Sequence, residues 1–101
     1  MFYQLTVPGP MEDVEETRVL EWHCQEGSVV ALGELLVELE TDKAVVEIRS
    51  RQAGVLRRIV CQVGKWAKIG EPIAMISDAA EEPVPEEASK LPYWPFDTWV
   101  N

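Results

Sequence analysis

Short apolar runs alternate with polar residues along this chain, and glycine, proline and acidic turns cut them at close intervals. Phe2-Tyr3-Gln4-Leu5-Thr6-Val7 reads as a first strand, stopped at Pro8-Gly9-Pro10 because proline offers no N–H to a ladder. Residues 11–17 form an acidic loop. Residues 18–25 have a two-residue period, with Leu20, Trp22 and Cys24 on one face and Glu21, His23 and Gln25 on the other. Glu26-Gly27-Ser28 turns, Val29-Val30 continues briefly, Leu32-Gly33-Glu34 turns again, and 35–39 is a strand. Further strands are expected at 45–48, 55–62 and 73–77, with turns at 50–54, 63–65 and 69–72. Gly54 is expected at a positive φ. Short strands with frequent turns and no helical periodicity predict an all-β sandwich or barrel.

The pattern repeats. Cys24-Gln25-Glu26-Gly27 matches Cys61-Gln62-Val63-Gly64, and Leu32-Gly33-Glu34-Leu35 matches Ile69-Gly70-Glu71-Pro72, each at an offset of 37 residues. Two like halves imply two sheets related by an approximate two-fold axis. Between the strands at 35–39 and 45–48 lies Glu40-Thr41-Asp42-Lys43-Ala44. Thr41 and Asp42 are turn formers, so Lys43 is expected at or beside a hairpin tip. At the repeat offset Lys43 falls on Ala80, where the chain leaves the body. The hairpin therefore belongs to one half, and symmetry places it at the end opposite the exit.

Composition narrows the functional classes. The chain has 101 residues and 47% hydrophobic content, which suits one small domain. Its formal charge of −9 is spread over the body and the C-terminal stretch. That argues against nucleic acid or an anionic membrane as partner, since both reward clustered Lys and Arg. Two cysteines make no disulfide framework, no apolar run is long enough to span a bilayer, and no secretory or transit pattern opens the chain. The location read from this is the cytoplasm, or an organelle matrix if a presequence has been removed.

Residues 1–78 form the expected domain. Residues 79–90, rich in Ala, Glu and Pro, read as an extended acidic linker, and residues 91–101 bring back aromatics as a short tail. That tail either packs on its own domain or serves as a docking segment. Cys24 and Cys61 sit at equivalent repeat positions and read as small buried hydrophobes. His23, the only histidine, reads as a surface residue, Trp22 as core, and no metal set or nucleophile–base pair stands out.

Gly27 and Gly33, then Glu40-Thr41-Asp42-Lys43-Ala44, Glu47-Ile48, Ala53-Gly54, and finally Gly64 with Gly70-Glu71-Pro72-Ile73 make a specific ordered set. In this the chain resembles the lipoyl domain of 2-oxo acid dehydrogenase acyltransferases, over about residues 2–77. The resemblance implies a flattened barrel of two four-stranded antiparallel sheets with the lysine at a hairpin tip. It implies (R)-lipoate in amide linkage to Lys43, flanked by Asp42 and Ala44, with Glu40 as a recognition residue. It also implies a non-catalytic carrier, a swinging arm for acyl groups and reducing equivalents. Its partners would be a lipoate ligase or lipoyl transferase and the decarboxylase, acyltransferase and dihydrolipoyl dehydrogenase components of such a complex.

The chain departs from the family pattern at Ser28 and Lys65, where acidic residues are common. It also lacks the usual sequence in the loop at 8–17, which in the family lies near the lysine turn and helps partner recognition. Taken as a full chain, it reads as a free-standing carrier or as a domain docking through its tail. Two other readings stand beside this one. A biotin carrier has the same fold, but methionines usually flank its lysine, unlike Asp42 and Ala44. The other is an unmodified lipoyl-like scaffold that binds a protein partner through the aromatic tail.

Overall fold

A computed structural model describes all 101 residues. The chain forms nine strands and no helix: β1 (Phe2–Thr6), β2 (Glu16–Trp22), β3 (Val29–Val30), β4 (Leu35–Glu40), β5 (Val45–Ser50), β6 (Gly54–Ile59), β7 (Trp66–Lys68), β8 (Pro72–Ser77) and β9 (Phe96–Val100). One sheet runs β1-β8-β6-β3 and the other β7-β2-β4-β5-β9, with every named strand pair antiparallel. The all-β expectation holds, with one revision. The second sheet has five strands, because the C-terminal tail adds β9 to the edge of β5.

The two-fold relation is visible atom by atom. Gly27 N–H donates to Leu56 O and Gly64 N–H to Val19 O, the same bond 37 residues on with the halves exchanged. Ala31 N–H donates to the Glu34 carboxylate and Lys68 N–H to the Glu71 carboxylate. Gly27 and Gly64 have φ of 89° and 86°, and Gly33 and Gly70 both have 85°. These four turns need a residue that adopts positive φ without a Cβ penalty. Gly54 is different: its φ is not positive, contrary to expectation. A Cβ there would lie 2.6 Å from the Trp94 ring and 2.8 Å from Ser77 O, so close approach is what demands glycine.

The core lies between the sheets. Leu5, Val19, Val30, Leu36, Leu39, Ile48, Leu56, Ile73 and Ile76 are fully buried. In β2 the facing switches at Leu20, where a bulge interrupts the register between Val19 and Glu21. Thr17 and Val19 point inward before it, and Cys24 is buried after it. That is why a single alternation does not describe this strand. Trp22 is half-buried, packs against the core and donates its indole N–H to Cys61 O at 2.9 Å.

Residues 79–95 leave β8 and return along the barrel's open side. Arg57 holds the start of this segment through Ala79 O and Glu82 O, and the N-terminal amine pairs with Asp78 and Glu82. Gln4 then ties β1 to the returning chain: Gln4 N–H donates to Pro92 O and Trp94 N–H to Gln4 O, both at 2.8 Å. Trp94 is 1% exposed, meets Tyr3 edge-on and donates its indole N–H to Ser50 Oγ. The segment thus covers the edge of β1 and leads into β9, which covers the edge of β5, so two edges that would otherwise be unpaired are closed.

Candidate functional site

Lys43 stands at the tip of the β4–β5 hairpin, as its flanking turn residues predict. The turn is fastened by Thr41 rather than by Asp42. Thr41 N–H donates to Ala44 O at 2.9 Å, and its hydroxyl donates to the same carbonyl at 3.2 Å. The hydroxyl oxygen in turn accepts from Lys43 N–H at 3.2 Å and Ala44 N–H at 3.1 Å. One side chain therefore fixes the backbone on both sides of the lysine, as Thr and Ser hydroxyls do in local turns. Asp42 is exposed and forms none of these bonds, so its carboxylate is presented to solvent beside Lys43.

Glu40 anchors the root of the hairpin. Its Oε1 accepts from Arg18 Nε and a terminal guanidinium nitrogen at 3.1 and 2.8 Å, directly across the β2–β4 ladder. The sequence marked Glu40 but not its partner, since nothing in a linear reading pairs residues 18 and 40. Ala44 is half-buried and begins the return. The Lys43 side chain is 64% exposed, and its Nζ lies 3.4 Å from Asp13 Oδ2. Asp13 has a φ of 60° in the tight turn bridged by Met11 and Val14, which brings the acidic loop over the hairpin. This partner too was invisible in the sequence.

Around the lysine the surface is acidic. Asp13, Val14, Glu15, Glu16, Asp42 and Trp66 line a shallow open cleft. Trp66, on β7, is exposed there. Hence the loop at 8–17 and the β7 edge, from opposite ends of the sequence pattern, meet beside Lys43.

Other candidates fall elsewhere. Cys24 and Cys61 are free and buried, and burial pushes the Cys24 thiol up to about 11 and the Cys61 thiol up as well. They behave as apolar fillers, not nucleophiles. His23 lies on the outer face with Nε2 2.6 Å from Glu38. No helix is long and apolar enough to cross a membrane.

Comparison with known proteins fits this geometry. A family profile described as "Biotin-requiring enzyme" (Biotin_lipoyl) matches residues 3–76. The chain is 37% identical over 92 residues to the dihydrolipoyllysine-residue succinyltransferase component of the 2-oxoglutarate dehydrogenase complex of Staphylococcus saprophyticus, covering 86% of this chain and 22% of that protein. It is 30% identical over 83 residues to the acetyltransferase component of the pyruvate dehydrogenase complex of Zymomonas mobilis, covering 81% and 19%. The chain therefore spans about a fifth of the length of these relatives. The solution structure of the lipoyl domain of the 2-oxoglutarate dehydrogenase complex from Azotobacter vinelandii superposes with a TM-score of 0.65 at 31% identity, covering 74% of this chain and 95% of that one.

Proposed function

The chain belongs to the biotin and lipoyl domain family, and from that premise we propose that it is a lipoyl carrier domain in which Lys43 bears (R)-lipoate. The observation that carries this reading is the isolation of Lys43 on a turn whose fastening does not involve its amine. Thr41 and the Arg18–Glu40 pair hold the root, while Nζ touches only an exposed carboxylate. Acylation would remove that weak contact and one positive charge, shifting the formal charge from −9 to −10, without disturbing the turn. The residues present therefore fit a lipoyl amide.

Bound lipoate supplies a dithiolane that accepts an acyl group and a pair of electrons. The protein's part is positional. A stiff hairpin keeps the arm's root prominent, and tethering raises the arm's effective concentration at each partner site. The acidic cleft with Trp66 offers a charged rim and an aromatic face to whatever approaches the lysine. The partners on this reading are a lipoate ligase or lipoyl transferase, followed by the decarboxylase, acyltransferase and dihydrolipoyl dehydrogenase components of a 2-oxo acid dehydrogenase complex. The carrier itself performs none of their chemistry.

Intact mass and peptide mapping of protein purified from its own cells test the assignment. A lipoyl increment on the peptide containing Lys43 is expected. Unmodified Lys43 under lipoate-replete conditions overturns the carrier, and a biotinyl increment replaces its cofactor.

A further inference from the structure

β9 does more than cover an edge. It extends the second sheet past β5 as its edge strand, next to the end of β1 at Thr6 and Val7. Phe96, Thr98 and Val100 lie opposite Ser50, Ile48 and Val46 and line one wall of an open groove, Thr98 and Val100 remaining exposed, whereas Asp97 and Trp99 lie opposite Arg49 and Glu47. The groove has a volume of about 580 Å³ and is closed on its far side by the Pro8-Gly9-Pro10-Met11 stretch and Ile69. Its lining is mostly apolar, with Tyr93 and Phe96 as aromatic walls. That size and lining suit a small apolar ligand.

The groove begins beside the lysine. Val46, on its floor, lies three residues beyond Lys43, about 10 Å along the strand. Met11, on its wall, is two residues from Asp13, which touches the Lys43 amine. A lysyl side chain extended by an eight-carbon acyl group spans about a dozen bonds of about 1.5 Å and covers that distance. Lipoylation also abolishes the charge behind the weak, exposed contact of the amine with Asp13. What remains is an apolar arm ending in two polarisable sulfurs, next to an apolar groove with aromatic walls.

We propose that this groove is a resting dock for the dithiolane end of the lipoyl-Lys43 arm, built by the C-terminal strand. The inference rests on the carrier reading. Docking withdraws the apolar arm from water between partners, and a partner with a deeper site draws it out again.

The test starts from full-length protein lipoylated in vitro by a lipoate ligase, with the mass increment verified first. Backbone amide spectra of the modified and unmodified proteins are then compared. Docking shifts the resonances of Met11, Val46, Thr98 and Val100 as well as those of residues 41–44. Val100→Asp on one wall and Met11→Asp on the other, both partly solvent-facing, abolish the groove shifts while the rest of each spectrum keeps its fold. Shifts confined to 41–44 in the wild type overturn the dock and leave lipoyl carriage standing. No mass gain overturns the carrier and the dock together. Groove shifts that depend on protein concentration, modified or not, assign the groove to a second copy and overturn the dock.

Discussion

Trp94 donates its indole N–H to Ser50 Oγ at 2.9 Å, across 44 residues of sequence and in the core. A residue that the sequence places in an appended tail is thus a central packing element. Trp94→Ala should destabilise the protein by about 3–5 kcal/mol. Trp94→Phe, which keeps most of the packing and removes only the hydrogen bond to Ser50 Oγ, whose hydroxyl still donates to Gln52 O, should lose about 1 kcal/mol. Denaturant unfolding with an unchanged m-value checks both. Truncation after residue 78 removes Trp94 and β9 together, so it should lower the melting temperature at least as far as Trp94→Ala.

Gly54 gives a second check on the same packing. Its absent Cβ is replaced by the Trp94 ring and by Ser77 O, a backbone atom that cannot swing away. Gly54→Ala should cost about 1–3 kcal/mol as overpacking. In a Trp94→Ala background the ring clash disappears, so the penalty should shrink. A double-mutant cycle reads the difference.

Thr41 governs the presentation of Lys43. Thr41→Val keeps the shape but removes three hydrogen bonds at the turn. We expect a stability loss of about 1–2 kcal/mol and a slower rate of in vitro lipoylation by a ligase, followed by mass. Thr41→Ser, which keeps the hydroxyl, should restore the rate. Asp13→Asn removes only an exposed ion pair and should change stability by less than about 0.5 kcal/mol.

Burial of Cys24 makes stability depend on alkaline pH. Its thiol ionises at about 11 in the folded protein against an ordinary 9.0. Below 9.0 the thiol is neutral in both states and imposes no pH dependence. Between 9.0 and about 11 the unfolded chain ionises and the native chain does not, so stability falls as pH rises through that window. Cys24→Ala should remove this part of the alkaline decline. The comparison is of unfolding midpoints for the two proteins from neutral pH to above 11.

The β class, the two-fold repeat and the exposed lysine hairpin were all legible, because each has a local signature: alternation, glycine turns at a fixed offset, and turn formers beside Lys43. The pairings were not. Arg18 with Glu40 and Asp13 with Lys43 depend on sheet register and loop path, which no local pattern carries. The bulge at Leu20 hid the true inward face of β2. The alternation Trp94, Phe96, Thr98, Val100 was itself a strand signal. The acidic Ala/Pro/Glu stretch before it reads as a solvated spacer, and this separates β9 from the body in a linear reading. Gly54 was recognised as special for the wrong reason, since crowding by a residue 40 positions away leaves no mark in its neighbourhood.

The exchanged bonds from Gly27 to Leu56 and from Gly64 to Val19 bear on how the molecule forms. Each repeat fastens its first glycine turn with an acceptor that only the other repeat provides. A half cut at the boundary would keep the bonds within its turn, Ser28 N–H to Gln25 O or Lys65 N–H to Gln62 O, but lose the bond that fastens that turn to the sheet. Because these contacts are non-local, folding should be slow for a chain of this length, in the millisecond-to-second range typical of about 100-residue all-β domains. The internal symmetry thus ties each half's turns to the other half's strands.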